Sequence, residues 1–258
     1  MNESQKGGLI FAVDESRLSD DERAALVRLR ARSEDFPHRV CICDNVKDGE
    51  RYISEGTPVI GYETGGCRLP FHYLLTSFDG ADEVYIEHVY KRFFDIPYVM
   101  LKTKRCIVRE ICMKDMDALF TLYSYPGMTD HVEPLFERAE EEDYEKKYIS
   151  NVYDLVDYGM WVVCDRETGE LIGRAGLEDK GRYEEYGLAL GYMIRTDYQR
   201  RGLATEVCKS ILGYAMTRGE MRFYCEIDEG HTPSIGLAES LGFIHTDTGI
   251  WTLSVGHV

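Results

Sequence analysis

Apolar positions along the chain recur in two rhythms, short runs of strand character and longer stretches at helical spacing. Leu9 to Val13 is the first run. Ser19 to Arg32 follows as a helix with Ser19 at the cap and acidic residues in its first turn, and Arg39 to Cys43 is strand-like again. Lys47 to Glu55 reads as a short helix ended by Gly56, Pro58 to Tyr62 as a third strand and Tyr73 to Thr76 as a fourth. Ala81 to Phe94 is amphipathic, with Val84, Ile86, Val89, Tyr90, Phe93 and Phe94 as its apolar members. This β-α-β-α-β order predicts a small parallel α/β module over residues 1–103.

A different order begins near Cys106. Cys106 to Glu110 reads as a strand, Met113 to Tyr123 as a helix, and Pro134 to Tyr158 as a long, very acidic helical stretch. Trp161 to Asp165, Glu170 to Leu177 and Tyr186 to Ile194 are three successive strands, the first pair joined by a tight turn from Asp165 to Gly169. A helix running to Thr217, a strand from Arg222 to Ile227, a helix from Ser234 to Leu241 and terminal strand material complete it. The basic stretch Lys102 to Arg105 separates the patterns, so the expected domains are 1–103 and 104–258.

Charge changes the picture unevenly. Residues 1–104 carry 14 Lys and Arg against 18 Asp and Glu, and residues 105–258 carry 16 against 28, so the second part holds −12 of the net −16. That balance argues against nucleic acid or anionic lipid as partner and favours cationic substrates. No apolar run approaches a membrane span, and no secretory signal is evident. The expected location is therefore cytoplasmic. Cysteines 41, 43, 67, 106, 112, 164, 208 and 225 are scattered among apolar neighbours and read as reduced and buried. Neither they nor the histidines show metal-ligand spacing, so no metal is expected.

The densest chemistry lies between the strand ending at Ile194 and the helix ending at Thr217, in Gln199-Arg200-Arg201-Gly202-Leu203-Ala204-Thr205. Glycine and alanine let the backbone approach an anion, the first turn of the helix offers free N–H groups, and two arginines add charged donors.

The pattern Gln/Arg-x-x-Gly-x-Gly/Ala between strand and helix resembles the pyrophosphate-binding signature of the GNAT N-acetyltransferases, which use acetyl-coenzyme A. Arg105 to Glu110, Gly191 to Ile194 and Ser234 to Phe243 resemble the opening strand, central strand and last motif of its ribosomal-protein N-terminal acetyltransferase branch. The resemblance spans roughly residues 105–250. It implies an α/β (α+β) fold whose mixed central sheet is splayed, with pantetheine lying between the strands Leu188 to Ile194 and Arg222 to Ile227. Tyr192, Met193 and Ile194 would border it, an N–H near Met193 would polarise the thioester carbonyl, and Gln199 to Thr205 would hold the pyrophosphate.

Three positions depart from the family's pattern. His231 stands where the family has Asn, and Ala238 where many members have the Tyr that protonates the leaving thiolate, which leaves the Ser234 hydroxyl as a candidate acid. Ala189 occupies the place of a frequent Glu two residues before Gly191-Tyr192. Glu178 is then the best carboxylate for a general base, ahead of Glu184 and Glu185. The first module vaguely resembles a haloacid-dehalogenase-like half domain, but Asp14-Glu15-Ser16 lacks the second Asp of that family's nucleophile motif. The expected function is acetyl transfer from acetyl-coenzyme A to a primary amine, a peptide N-terminus or small cationic amine, by direct attack. The alternative is a non-catalytic acyl-coenzyme A sensor or scaffold.

Overall fold

Among the described residues, strand pairing sorts twelve strands into two sheets. A computed structural model describes residues 8–64, 68–153, 158–181 and 183–255. The chain divides into two units, Met1–Tyr98 and Val99–Val258.

The first unit runs β1 (Gly8–Ala12), α1 (Asp20–Ala31), β2 (Arg39–Cys43), α2 (Val46–Ser54), β3 (Val59–Tyr62), β4 (Leu74–Leu75) and α3 (Glu83–Phe93). Its four strands are parallel and lie in sequential order. Ser19 caps α1 through a reciprocal pair with Glu22, and Gly56 ends the α2 region at φ 75°. Leu26 and Leu29 of α1 share a core with Val40, Ile42 and Ile60, whereas Tyr52 of α2 joins Cys41, Cys43 and Val59 on the other face. Two crossovers that advance the same way on opposite faces have opposite hands, so one of them breaks the right-handed rule. Cys67 lies outside the described residues; the other seven cysteines are free and buried.

The second unit begins with β5 (Val99–Lys102), which residue pattern alone leaves unassigned between Phe94 and the basic stretch from Lys102 to Arg105. Then come β6 (Cys106–Arg109), α4 (Met116–Ser124), α5 (Arg138–Asn151), β7 (Gly159–Asp165), β8 (Leu171–Glu178), β9 (Leu188–Ile194), α6 (Leu203–Thr217), β10 (Arg222–Glu226), α7 (Thr232–Ser240), β11 (Ile244–Asp247) and β12 (Ile250–Ser254). The acidic helix expected from Pro134 starts only at Arg138 and ends at Asn151, and Glu137 provides no side-chain cap. The last helix, expected from Ser234, starts two residues earlier at Thr232, behind His231.

These strands form one sheet in the order β11-β12-β10-β9-β8-β7-β6-β5. Every pair is antiparallel except β9 with β10, whose ladder is limited to Leu188 with Phe223 and Ala189 with Tyr224. Beyond Ala189, β9 stays with β8 as far as Ile194, while β10 stays with β12 as far as Glu226. The sheet therefore opens in its middle.

Arg109, at the end of β6, makes two parallel hydrogen bonds to Asp115 (2.6 and 2.7 Å), and the Cys112 N–H donates to the same carboxylate. Burial opposes ionisation of Asp115, but the bonds from Arg109 and Cys112 outweigh it and hold the carboxyl below its ordinary range. A carboxylate with a depressed pKa stabilises the fold above its unfolded value of about 3.9 and loses that contribution as pH falls through the folded value. Asp115→Ala is expected to cost about 3 kcal/mol at neutral pH, because it strands the buried guanidinium, and to flatten the acid side of the stability curve. Urea titrations between pH 2 and 7 measure both effects.

Candidate functional site

The gap in the sheet leads to one end of α6. Tyr192, Met193, Ile194, Gln199, Arg200, Gly202, Leu203, Ala204, Thr205, His231 and Ser234 border a single cavity of about 560 Å³ there, within the size range of small-molecule sites, whereas Glu178, Glu185, Ala189, Arg201 and Ala238 do not line it.

One wall is β9. The Arg195 N–H donates to the Ile172 carbonyl, which sets the phase of the β8–β9 ladder. In an antiparallel pair alternate residues turn both backbone groups to the same neighbour, so Met193 faces β8 while Leu190, Tyr192 and Ile194 face the opening. The backbone donor expected near Met193 thus falls to Tyr192 and Ile194. The Ile194 carbonyl is already bonded by the Gln199 side-chain amide at 2.9 Å, so Gln199 ties the loop to the strand.

At the end of the cavity the backbone coils through two left-handed residues, Arg200 at φ 57° and Gly202 at φ 73°. Such a turn aims successive N–H groups inward. Gly202 is the N-cap of α6 and supplies no side-chain acceptor, and the helix's first acceptor, the Gly202 carbonyl, is met only by the Glu206 N–H. The N–H groups of Leu203, Ala204 and Thr205 precede that bond and have no acceptor within the helix. An anion is the natural partner for this terminus. Arg200 lines the cavity, but Arg201 turns away, bonded to the Asp197 carbonyl and laid over Tyr198. Arg105 braces the loop from outside, with its N–H and Nε on the Glu206 carboxylate and Nη1 on the Arg201 carbonyl at 2.7 Å.

The opposite wall is the start of α7. The Tyr192 hydroxyl donates to the Ser234 carbonyl at 3.3 Å, and burial pushes its pKa up, so it stays protonated. His231 stacks on His131 (centroids 3.8 Å apart), and the ring nitrogen Nδ1 of His131 lies 3.0 Å from Asp228. Burial and then the neighbouring His131 lower the His231 pKa, against the pull of Asp228, which favours a neutral ring. Sequence reasoning missed His131, which no spacing links to His231. Ala238 is buried, and Gly242 at φ 91° ends α7 with the Phe243 N–H returning to the Ala238 carbonyl.

Glu178 stands on the other face of the sheet. It is the register partner of Ala189, and directly paired residues project to the same side. The carboxylate of Glu178 therefore serves the side that Ala189 leaves bare, and Tyr148 of α5 donates to it at 2.8 Å. Glu185 lies at the turn before β9, and the side chain of Glu184 is outside the described atoms. A larger hollow, about 990 Å³, is lined by Glu178 together with Asn151, Val152, Tyr158, Leu177, Asp179, Lys180, Leu188, Arg218 and Glu220, and shares no lining residue with the first cavity. Trp251 belongs to the core. Among the described residues no group of three or more His, Cys, Asp or Glu side chains is placed to hold a metal, and no helix is long and apolar enough to cross a membrane.

Two Bacillus subtilis chains are similar in sequence. YkkB is 25% identical over 147 residues, 55% of this chain and 84% of its own length, and YoaA, described as an N-acetyltransferase, is 29% identical over 125 residues, 46% and 68% respectively. Among solved structures, RimL, a ribosomal L7/L12 alpha-N-protein acetyltransferase in complex with coenzyme A, superimposes with a TM-score of 0.53 at 12% identity, covering 61% of this chain and 98% of RimL. Its identity is low enough that it speaks for the fold alone. Residues 105–244, more than half the chain, match the family model of the acetyltransferase (GNAT) domain. The chain belongs to the GNAT acetyltransferase family.

Proposed function

We propose that the second unit moves an acetyl group from acetyl-coenzyme A to a primary amine, either a peptide N-terminus or a small cationic amine, by direct attack. The observation that carries this reading is the uncapped, left-handed entry to α6 at the end of the opening between β9 and β10. The pyrophosphate would meet the N–H groups from Arg201 to Thr205 with Arg200 beside them, and the pantetheine would complete the ladder on the open edge of β9. RimL, of the same fold, is known in complex with coenzyme A, which supports the donor.

In this mechanism the amine approaches from the α5 face, where Glu178 stands opposite Ala189. The amine nitrogen bonds to the thioester carbon as Glu178 takes its proton, directly or through water. A backbone N–H of Tyr192 or Ile194 meets the developing oxyanion, and the C–S bond then breaks toward the Ser234 side, where the thiolate regains a proton. The acidic surplus of residues 105–258 favours acceptors that arrive as cations. We read the first unit as non-catalytic: Asp44 is buried, and its carboxylate is occupied by the Asp14 N–H and the Asn45 amide, which supports a structural role.

Thiol release from acetyl-coenzyme A over a panel of amines and peptides tests the reading. Turnover with a subset of amines is expected; tight coenzyme binding with no turnover on any acceptor would favour the sensor instead. Arg105→Ala is expected to weaken coenzyme binding about 10-fold, close to 1.4 kcal/mol, by loosening the loop without touching the reacting groups. Calorimetric titration reads that loss, and the profile of rate against pH keeps its shape.

A further inference from the structure

The two backbone groups of Met160 end on tyrosine hydroxyls. Its N–H donates to Tyr148 Oη at 2.6 Å, and its carbonyl accepts from Tyr153 Oη at 2.6 Å. A peptide N–H can only donate, so Tyr148 accepts there and has one proton left, which goes to Glu178 Oε1 at 2.8 Å. The hydroxyl roles are thereby determined by chemistry alone.

Tyr148 has no freedom to leave this arrangement. It is buried, its ring meets Tyr153 edge-on at 5.4 Å, and its hydroxyl approaches the backbone of Gly159 so closely that a Cβ there would lie 3.1 Å away. The same Cβ would lie 2.8 Å from the Tyr153 ring, so glycine at 159 is a condition of the tyrosine pair. Met160, held at both backbone groups, reaches toward Gly191, where its sulfur would sit 3.1 Å from any Cβ. Gly191 and Ala189 project to the same face as Glu178.

From this geometry we infer that Tyr148 is a positioning residue that fixes the orientation of Glu178 for acetyl transfer, an inference that rests on Glu178 acting as the base. With Oε1 engaged by Tyr148, Oε2 is the oxygen presented for the incoming proton.

Tyr148→Phe keeps the ring and removes the hydroxyl. The expected result is a kcat lower by about 10-fold with little change in KM for either substrate. Site-specific 3-fluorotyrosine at position 148 preserves the size and the hydrogen bond and should restore kcat to near the wild-type value. In a Glu178→Gln background the Phe substitution costs nothing further, which a double-mutant cycle reads. An unchanged kcat in Tyr148→Phe, or a Phe penalty equal in the two backgrounds, overturns the inference while Glu178 remains the base. Full turnover in Glu178→Gln alone removes the base and the inference together.

Discussion

Gly202→Glu is expected to abolish coenzyme binding and leave the fold intact. The backbone at Gly202 lies at φ 73°, where a side chain costs about 1–2 kcal/mol. Space is not the obstacle, because the nearest atom to a Cβ there is Arg105 Nη2 at 3.7 Å. The larger effect is electrostatic. A carboxylate at the N-cap would occupy the free N–H groups of α6 and stand beside Arg200 and Arg105, cancelling the charge that the pyrophosphate needs. Affinity for acetyl-coenzyme A should fall at least about 100-fold, or roughly 2.7 kcal/mol. Calorimetry and thiol release report the loss, and circular dichroism checks the fold. Wild-type affinity in this variant would refute the assignment of the loop.

The second large effect concerns the other face of the sheet. Glu178→Gln keeps the size of the side chain and its acceptor for Tyr148, and removes only the ability to take a proton. A positioned base contributes about 10² to 10⁴ in rate, so kcat/KM at neutral pH should fall by a factor in that range while coenzyme affinity stays as it was. The deficit should narrow as pH rises and more of the amine is already neutral. Orientation of amine and thioester supplies the remaining rate, which predicts slow rather than absent turnover. A loss of coenzyme binding would instead mean that Glu178 supports the slot.

What could be read from residues alone follows a physical line, that of sequence distance. The tight turn into α6 was legible because its pattern is local: a glycine, an alanine and a helix start lie within seven neighbours, Gln199 to Thr205. The tight turn at Asp165 was legible for the same reason; its carboxylate takes the N–H groups of Glu167 and Thr168, and Gly169 adopts φ 75°. Glu178 could be named from its strand, but not its partner. Tyr148 lies 30 positions earlier, on a helix whose apolar pattern is nearly erased by acidic residues, and meets Glu178 only through the register of β7 and β8. Strand β5 escaped the reading because its pairing with β6 depends on a turn in which the Thr103 hydroxyl accepts the Cys106 N–H. The stack of His131 on His231 joins residues a hundred positions apart, and no spacing rule reaches that far.

Arg200 carries one more consequence. An arginine at φ 57° is less stable there than a glycine would be, by about 1 kcal/mol. Drift toward stability alone would therefore replace it, and Arg200→Gly should make the protein harder to unfold. The side chain that this exchange would discard is the one cation of the loop that faces the cavity, since Arg201 is turned to Tyr198. With the loop holding pyrophosphate as proposed, position 200 is a place where thermal robustness and ligand affinity pull in opposite directions. Screening variants for heat resistance would select against the coenzyme at this residue, so such a screen needs a binding assay beside it.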